Sequence, residues 1–179
     1  MSVNYIAHNL IVNYIIGMPS KKAFATTART AATDWLLLDR QLCFALYSAS
    51  LAMTKLYKPL LDPLGLTYPQ YLVMLVLWQD NGLMVSQLGE RLALDSGTLT
   101  PLLKRLEASG HVLRLRDTAD ERRVLVQLTA AGRALRTKAA RVPAAVALAT
   151  GCELSEITSL TARLQALRLQ LTESTLRAG

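Results

Sequence analysis

The chain contains few of the residues that bind metals or build disulfide frameworks. It has two cysteines, Cys43 and Cys152, and two histidines, His8 and His111, among its 179 residues. Two cysteines do not make a disulfide framework in a chain of this length, and no cluster of His and Cys has the spacing of a zinc site. The sequence therefore predicts neither a structural metal nor a bound cofactor.

Long apolar runs are also absent, although 51% of the residues are hydrophobic. No run approaches the roughly 18 uninterrupted apolar residues that a membrane-spanning helix needs. The early apolar patch LIVNYIIG is short, contains Asn13, and precedes Lys21 and Lys22, whereas the basic residues of a signal peptide come first. These absences favour a cytoplasmic protein with no membrane association.

Positive charge, by contrast, is in excess. The 20 Lys and Arg residues outnumber the 13 Asp and Glu residues, which gives a net charge of +7 and an isoelectric point of about 9.7. Such an excess favours a polyanionic partner, either nucleic acid or an anionic surface. The length fits one domain with an appended arm, and residues 1–33, which lack sustained periodicity, are predicted to form that flexible arm.

Two helices are predicted where the organised part of the chain begins. The segment DWLLLDRQLCFALYSASLAMTKLYKPLLDPLG predicts one long helix, which Thr33 or Asp34 can cap. The residues predicted to end it are Pro59, Pro63 and Gly65. A second helix follows in TYPQYLVMLVLWQDNG, with Pro69 at an early helical position.

The next pattern determines the predicted fold class. Two short amphipathic helices, VSQLGERLAL and DSGTLTPLLKRLEASG, come first, and the second is capped by Asp95 and stopped by Gly110. Two alternating strands follow, HVLRLRD and RRVLVQL, with the polar turn TADE between them. Helix, turn, helix and basic hairpin make a winged helix-turn-helix, so we predict a mainly α protein with a small β-hairpin wing.

The C-terminal segment from Thr129 is predicted to be helical, with breaks near Pro143 and Gly151. Its last part carries an apolar stripe at helical spacing, and a terminal helix this apolar needs a partner surface. The stripe consists of Leu154, Ile157, Leu160, Leu164, Leu167 and Leu171. The unit 34–179 is then predicted to comprise a DNA-binding part, 67–128, and N- and C-terminal dimerisation helices, 34–62 and 129–179.

In the second helix of the short pair, leucines recur at helical spacing and must face the core: Leu99, Leu102, Leu103 and Leu106. The other face carries small hydroxyl side chains that can approach base edges and basic side chains that can reach phosphates. These candidate DNA-binding residues are Ser96, Thr98, Thr100, Lys104 and Arg105. Alone, this face is equally typical of an ordinary solvated helix surface. Pro101 predicts a bend or a tight first turn.

The hairpin favours DNA binding over the solvated surface. Four arginines surround its turn: Arg114, Arg116, Arg122 and Arg123. Asp120 stands two residues before Arg122, close enough to orient its guanidinium, and an arginine on a thin hairpin tip suits the negative potential of a narrow minor groove. Because a merely soluble hairpin does not need four arginines, we predict that the protein binds double-stranded DNA.

The run DSGTLTPLLKRLEASGHVLRLRDTADERRVLVQLTAAG resembles the MarR family of bacterial transcription regulators. It includes that family's Asp-x-Arg wing, as Asp120 and Arg122, and its strand-to-helix junction, from Leu128 to Gly132. The segment LCFALYSASLAMTKLYKPLLDPLGLTYPQYLVMLVLW is similar to the branch that senses organic hydroperoxides, OhrR. The resemblance runs from about Leu38 to the C-terminal helices. It implies a homodimer that represses a nearby detoxifying gene, at an inverted-repeat operator, until it is oxidised.

Helix spacing places Cys43 on one stripe with Tyr47, Ser50, Thr54 and Tyr57. Cys43 and Tyr57 stand about 21 Å apart along one helix, at 1.5 Å per residue, so they cannot touch within one chain. Two copies of the helix packed antiparallel, with a two-fold axis near Ser50, would bring Cys43 of one chain to Tyr57 of the other.

Tyr68, at the start of the next helix, can join the same pocket. Phenol hydroxyls can donate hydrogen bonds to a thiolate and lower its pKa, and the rings make an apolar pocket suited to an organic peroxide. From the residues alone, Cys43 can equally be a small core hydrophobe, and Tyr57 and Tyr68 can be dimer packing. The resemblance implies that Cys43 is the peroxide-reactive cysteine and that Tyr57 and Tyr68 are its cross-subunit partners, in a pocket that also includes Tyr47.

Some OhrR-like proteins carry a second cysteine in the C-terminal helices, which resolves the sulfenic acid as an intersubunit disulfide. The resemblance makes Cys152 a candidate for that role, although the matching position lies about one helical turn earlier, near Leu148. The alternative is that Cys152 is structural and that Cys43 is capped by an external small thiol.

Three classes of function remain after this reading: a redox-switched repressor, a repressor that binds a small aromatic ligand without covalent chemistry, and a thiol peroxidase. A peroxidase leaves the basic wing unexplained, so we predict a regulator and not an enzyme. The main prediction is release from the operator when organic hydroperoxides oxidise Cys43. The alternative is release by a phenolic ligand bound in the dimer crevice.

Overall fold

The computed structural model describes residues 36–116 and 123–178. The predictions that fall outside these described residues concern the arm 1–33, the caps Thr33 and Asp34, and the wing residues Asp120 and Arg122. The chain divides into two compact units, 1–41 and 42–179. The described part of the first unit holds a 3-10 turn, Leu38–Arg40.

The first long helix, α1, spans Leu42–Leu61, so the prediction of one helix from Asp34 onward is wrong for the described residues before Leu42. The cause is Gln41, whose extended backbone (φ −84°, ψ 115°) interrupts helical geometry after the 3-10 turn. Pro59 does not end α1 either, because it lies inside the last turn of the helix. The helix ends two residues later, where a 3-10 turn at Asp62–Leu64 leads into Gly65 with a left-handed φ of 67°.

Helix α2 spans Tyr68–Gln79, and its start is confirmed by its capping interactions. Pro69 occupies the first turn, where a missing N–H costs no intrahelical hydrogen bond. The backbone N–H and the hydroxyl of Thr67 both donate to Oε1 of Gln70, at 2.8 and 3.0 Å. This reciprocal cap fixes the entry of a helix whose inner face is buried.

The two short helices of the helix-turn-helix are α3, Val85–Leu92, and α4, Ser96–Ala108. Ala93 turns the chain between them with a left-handed φ of 54°. The predicted caps of α4 are confirmed, because Oδ1 of Asp95 accepts the N–H of Thr98 at 2.8 Å and Gly110 follows the helix with a φ of +74°.

A three-stranded antiparallel sheet forms the wing and its root. Its strands are β1 (Leu83–Met84), β2 (Val112–Arg116) and β3 (Val124–Leu128), in the spatial order β1-β3-β2. Val112 pairs with Leu128, and Arg116 pairs with Val124. The predicted hairpin is confirmed, and β1 is an addition that the sequence reading did not include.

Three further helices complete the fold: α5 (Ala130–Ala139), α6 (Val142–Thr150) and α7 (Leu154–Ala178). Gly151 marks a break as predicted, with a φ of 65°, whereas Pro143 lies in the first turn of α6. The comparisons with solved structures given below confirm the winged helix-turn-helix fold.

One buried cluster, which we call the winged-helix core, contains residues from the end of α1, from each of the helices α2, α3, α4, α5 and α6, and from the sheet. Its largest members are Leu61, Tyr71, Met74, Leu77, Leu88, Leu99, Leu103 and Leu106. By contrast, none of residues 42–60 and 154–177 is buried. Among the described residues no single helix is long and apolar enough to cross a bilayer, and α1 with α2 pass that test only as a pair bent by 68°.

Candidate DNA-binding surface and thiol pocket

Helix α4 presents one face to the core and the other to solvent. Leu99, Leu103 and Leu106 are buried, and Leu102 is half-buried at the edge of that face. The predicted DNA-facing residues lie opposite: Ser96, Thr98, Lys104 and Arg105 are exposed, and Thr100 is half-buried. The solvent-facing side of α4 is therefore the side that the leucine spacing predicted.

The hydroxyls of the two threonines on α4, Thr98 and Thr100, donate to neighbouring groups. Oγ1 of Thr98 donates to Oδ2 of Asp95 at 2.8 Å, and this bond, together with the backbone N–H of Thr98, holds the pKa of Asp95 below its usual value. Oγ1 of Thr100 donates to the carbonyl of Ser96 at 2.7 Å. In this geometry the hydroxyl oxygens of the two threonines remain acceptors, while their hydrogens are already donated within the helix and its cap. The helix continues through Pro101, whose ring cannot donate to the carbonyl of Gly97.

The wing arginines are not equivalent. Arg114 is half-buried, with its Nε and Nη2 donating to Oε2 of Glu107 at 2.8 and 2.6 Å. These bonds from Arg114 hold the pKa of Glu107 below its usual value. Arg114 therefore connects β2 to α4, so the argument from four wing arginines rests on the other three. Arg116 and Arg123 are exposed at the ends of β2 and β3 that face the turn.

A cleft of about 770 Å³ lies between the start of β3 and the start of α4. Ser86 and Gln87 of α3, Asp95 and Ser96 at the start of α4, and Arg123 before β3 line it. The structure thus places two parts of the predicted DNA-binding set, Ser96 and Arg123, on one concave surface.

Two of the three predicted pocket tyrosines lie together where α1 meets α2. The rings of Tyr57 and Tyr68 are 4.5 Å apart, and Tyr71 joins them, its centroid 5.8 Å from that of Tyr57. Burial, followed by the proximity of Tyr68 and Tyr71, raises the pKa of Tyr57 to about 12, and burial also raises the pKa of Tyr68. Both phenols, like an ordinary tyrosine, are protonated at neutral pH and have a hydrogen to donate.

Cys43 and Tyr47 lie on the exposed part of α1, roughly 21 and 15 Å along the helix axis from Tyr57. Ser50 and Thr54, between them and Tyr57, are exposed as well. A single chain therefore carries Cys43 and Tyr57 on one helix without bringing them into contact.

Cys152 lies in the short loop between α6 and α7 and is exposed. Its thiol is 3.6 Å from the carbonyl of Thr150, to which it donates. Leu148, one turn earlier, is 84% exposed. Both positions that the resemblance considers for a resolving cysteine are thus accessible.

The sequence reading missed two contributors to these sites. Tyr71 follows Tyr68 at a spacing of three residues on α2, so helical periodicity could have added it to the pocket. Glu107 is different, because nothing in the local pattern connects it to Arg114 across the turn between α4 and β2. That pairing depends on the tertiary fold.

Comparisons with known proteins show which family the chain belongs to. Residues 55–138 match the family described as transcriptional regulator SarA/Rot. The HTH-type transcriptional regulator TtmR of Methylorubrum extorquens is 51% identical over 156 residues, which cover 87% of this chain and 78% of that protein. The organic hydroperoxide resistance transcriptional regulator of Bacillus subtilis is 53% identical over 113 residues, which cover 63% of this chain and 77% of that protein.

Solved structures share the fold. One is the structure of reduced AbfR bound to DNA; AbfR is a protein of Staphylococcus epidermidis. It is 35% identical to this chain with a TM-score of 0.64, and the match covers 75% of this chain and 93% of AbfR. Wild-type MarR of Escherichia coli, in its apo form, is 27% identical with a TM-score of 0.57, covering 71% and 96%. The chain therefore belongs to the MarR family of winged helix-turn-helix transcription regulators, as a DNA-binding, non-enzymatic member of the OhrR type.

Proposed function

We propose that the protein is a homodimeric repressor that leaves its operator when an organic hydroperoxide oxidises Cys43. The observation that carries the proposal is the contact between Tyr57, which shares one stripe of α1 with the exposed Cys43, and Tyr68 at the start of α2. Two relatives support it in their names, one as an organic hydroperoxide resistance regulator and one as a reduced form bound to DNA.

The dimer would be closed by the two helices that the winged-helix core leaves uncovered. Helix α1 exposes Leu42 and Leu51, and α7 exposes the stripe that includes Leu164 and Leu171. A groove of about 420 Å³ between these helices is lined mainly by leucines, with Leu46 on one side. Apolar area of this extent favours a partner, and a second copy meets it symmetrically.

Two α1 helices packed antiparallel, with the two-fold axis near Ser50, would bring together side chains that lie apart within one chain. Cys43 of one subunit would face Tyr57 and Tyr68 of the other, and Tyr47 would line the same crevice. The phenol hydroxyls would donate to the thiolate and stabilise it, while the aromatic rings would hold the organic part of the peroxide. The pocket would thus exist only in the dimer.

The chemistry requires one peroxide per pocket. The thiolate attacks the distal oxygen, the O–O bond breaks, Cys43 becomes a sulfenic acid, and the alkoxide takes a proton and leaves as an alcohol. A second thiol then attacks the sulfenic sulfur, forming a disulfide and releasing water. We assign that thiol to Cys152 of the partner subunit, with an external small thiol as the alternative.

On DNA, each subunit would place α4 in a major groove and its wing in the neighbouring minor groove. Ser96, Thr98 and Thr100 would approach base edges, whereas Lys104 and Arg105 would contact phosphates. The wing residues would be Arg116, Asp120, Arg122 and Arg123. A two-fold dimer reads an inverted repeat whose half-sites are about 34 Å apart, so a small rotation of the subunits breaks the register. A repressor that binds an operator would act in the cytoplasm, where we place this protein.

The test compares Cys43→Ser with the wild type on a short duplex selected by the reduced wild-type protein from random-sequence DNA. Cys43→Ser should bind this duplex like the reduced wild type and stay bound when cumene hydroperoxide is added. Mass spectrometry of each cysteine should show oxidation of Cys43 in the wild type in step with release. Release of Cys43→Ser by peroxide would contradict the redox mechanism, and release by phenolic compounds instead would favour the non-covalent alternative.

Cys152→Ser separates the two fates of the sulfenic acid. With Cys152 as the resolving residue, this variant should form no intersubunit disulfide and should return to DNA unless an external thiol is supplied. An intersubunit disulfide in Cys152→Ser, or unchanged persistence off DNA without added thiol, would remove Cys152 from the mechanism.

A further inference from the structure

Two side chains at the end of α2 hold the base of the wing, which we define as residues 110–112 and 128–133. The indole Nε1 of Trp78 donates to the carbonyl of Gly132 at 2.9 Å. Oδ1 of Asn81 accepts the backbone N–H of Leu128 at 2.8 Å. Both bonds join residues about 50 positions apart in sequence, and both reach backbone atoms, so their geometry fixes main chain rather than a mobile side chain.

The wing base is itself closely connected. The N–H of Thr129 donates to the carbonyl of His111 at 3.1 Å, and its hydroxyl donates to the carbonyl of Gly110 at 2.7 Å while accepting the N–H of Gly132 at 2.9 Å. A Cβ on Gly132 would overlap the carbonyl oxygen of His111, so the two chain segments touch at this point. A displacement at Gly132 or Leu128 therefore moves both strands of the wing.

The opposite end of α2 lies in the tyrosine cluster. Tyr68 starts the helix, and Tyr71, which is 1% exposed, contacts Tyr57 at one side and Trp78 at the other, with centroids 5.8 and 6.2 Å apart. Between Tyr71 and Trp78 the helix buries Val73, Met74 and Leu77 completely in the core. A helix of 12 residues packed in this way moves as one body, about 18 Å long.

We propose that Trp78 and Asn81 are positioning residues that transmit the state of the tyrosine pocket to the wing. The inference rests on the proposed function, because it takes oxidation of Cys43 as the event that disturbs Tyr57 and Tyr68. Loss of the thiolate acceptor shifts the tyrosines and α2, and the bonds from Trp78 and Asn81 carry that shift to the wing base. Without these bonds, the pairing of β1 with β3 still connects the end of α2 to the wing, but the wing follows α2 less closely.

The experiment measures a release factor, the Kd for the selected duplex after cumene hydroperoxide divided by the Kd before. Asn81→Leu removes the acceptor and should lower the release factor about 5- to 10-fold, within the usual range for coupling between sites. Asn81→Asp keeps an acceptor oxygen and should restore the wild-type factor. Trp78→Phe keeps the ring beside Tyr71 but loses the N–H donor, so it should resemble Asn81→Leu.

Asp80→Asn is the matched control. Asp80 is next to Asn81 but accepts from Nη2 of Arg91 at 2.7 Å, which connects α2 to α3 rather than to the wing base. This variant should keep the wild-type release factor. Thermal unfolding of each variant checks the fold, and if Asn81→Leu is unfolded at the assay temperature, Trp78→Phe decides the outcome.

Cysteine mass spectrometry separates this inference from the function on which it rests. A wild type that stays on DNA after Cys43 is oxidised would overturn the proposed function. A wild type that is released, together with Asn81→Leu and Trp78→Phe that are released by the same factor at equal Cys43 oxidation, would overturn only the role of Trp78 and Asn81.

Discussion

Two regions of the chain carry leucines at helical spacing, yet the exposure of those leucines differs. In the winged-helix core, Leu103 is 1% exposed, whereas Leu164 on α7 is 40% exposed. The sequence pattern around the two residues is similar, because both belong to an amphipathic helix. The difference teaches that periodicity identifies an apolar face but leaves open whether the covering surface belongs to the same chain.

The core therefore closes on itself, and the outer helices, which we define as residues 42–60 of α1 together with α7, do not. Each large apolar side chain buried in the first region contributes about 2 kcal/mol to stability, whether the protein is a monomer or a dimer. The second region gains the same kind of energy only when a partner covers it. Stability and assembly are thus assigned to different parts of the molecule, and substitutions can test each part separately.

The largest expected effect comes from truncating the same side chain in both regions. Leu103→Ala should lower the free energy of unfolding by about 2 to 5 kcal/mol, because it leaves a cavity among buried neighbours. Leu164→Ala should lower it by under about 1 kcal/mol at protein concentrations too low for association. Urea unfolding gives both values. Equal losses in dilute protein would mean that α7 is already covered within one chain.

The second prediction concerns assembly. Leu164→Asp places a charge on the apolar stripe and should weaken the dimer about 100-fold, since an unpaired carboxylate in a desolvated interface is costly. Ala162→Asp, an exposed position on the opposite side of α7, introduces the same charge and should leave the dimer intact. Sedimentation velocity over a concentration series measures both. Dissociation caused equally by Ala162→Asp would point to helix destabilisation instead of a lost interface.

The sequence predicted best those features of the structure that depend on residues close together in the chain. The cap by Asp95, the leucine face of α4 and the two strands of the hairpin depend on residues close in sequence, so local rules were sufficient. The helix begins only after Gln41 and continues past Pro59, and the backbone conformation at these two residues could not be predicted from the residue types. Local signals therefore located elements better than their ends.

The candidate sites show the same limit. Spacing was enough to put Cys43 and Tyr57 on one stripe and to suggest Tyr68 as a neighbour, which lies at 4.5 Å from Tyr57. It could not show that Glu107 holds Arg114, nor that Asn81 and Trp78 reach the wing base, because those partners are distant in sequence or separated by a turn. Tertiary hydrogen bonds of this kind have no periodic signature.

The third prediction applies the contrast between inward and outward residues to the wing. Arg116→Ala removes an exposed charge near the turn and should weaken DNA binding by about 1 kcal/mol and reduce the salt slope by about one. Arg114→Ala instead breaks the pair with Glu107 and should cost about 1 kcal/mol of unfolding free energy, with a smaller change in salt slope. Titrations of the selected duplex at several salt concentrations, with urea unfolding, distinguish them. A larger salt effect from Arg114→Ala would assign Arg114 to the DNA contact.

The smallest effect is expected at Tyr57, where α1 passes from the outer region into the core. Burial and the neighbouring phenols raise the pKa of Tyr57 to about 12, above the value of 10.0 for an unperturbed tyrosine. The folded state therefore holds this proton more tightly than the unfolded state. That contribution to stability is fully present below pH 10 and is lost as the pH rises towards 12. Because the ring is only half-buried and solvent screens the charge, the loss should be no more than about 1 kcal/mol.

Tyr57→Phe tests this directly, since phenylalanine has no proton to lose. In an alkaline absorbance titration of the folded protein, the wild type should show a late component near pH 12 that Tyr57→Phe lacks. Tyr47→Phe, at a position that is 62% exposed on the same helix, should retain that component. The unfolding free energy of Tyr57→Phe should also fall less steeply than that of the wild type above pH 10. If Tyr57→Phe kept the late component, the phenol responsible would be Tyr68 or Tyr71 on α2, whose pKa values burial also raises.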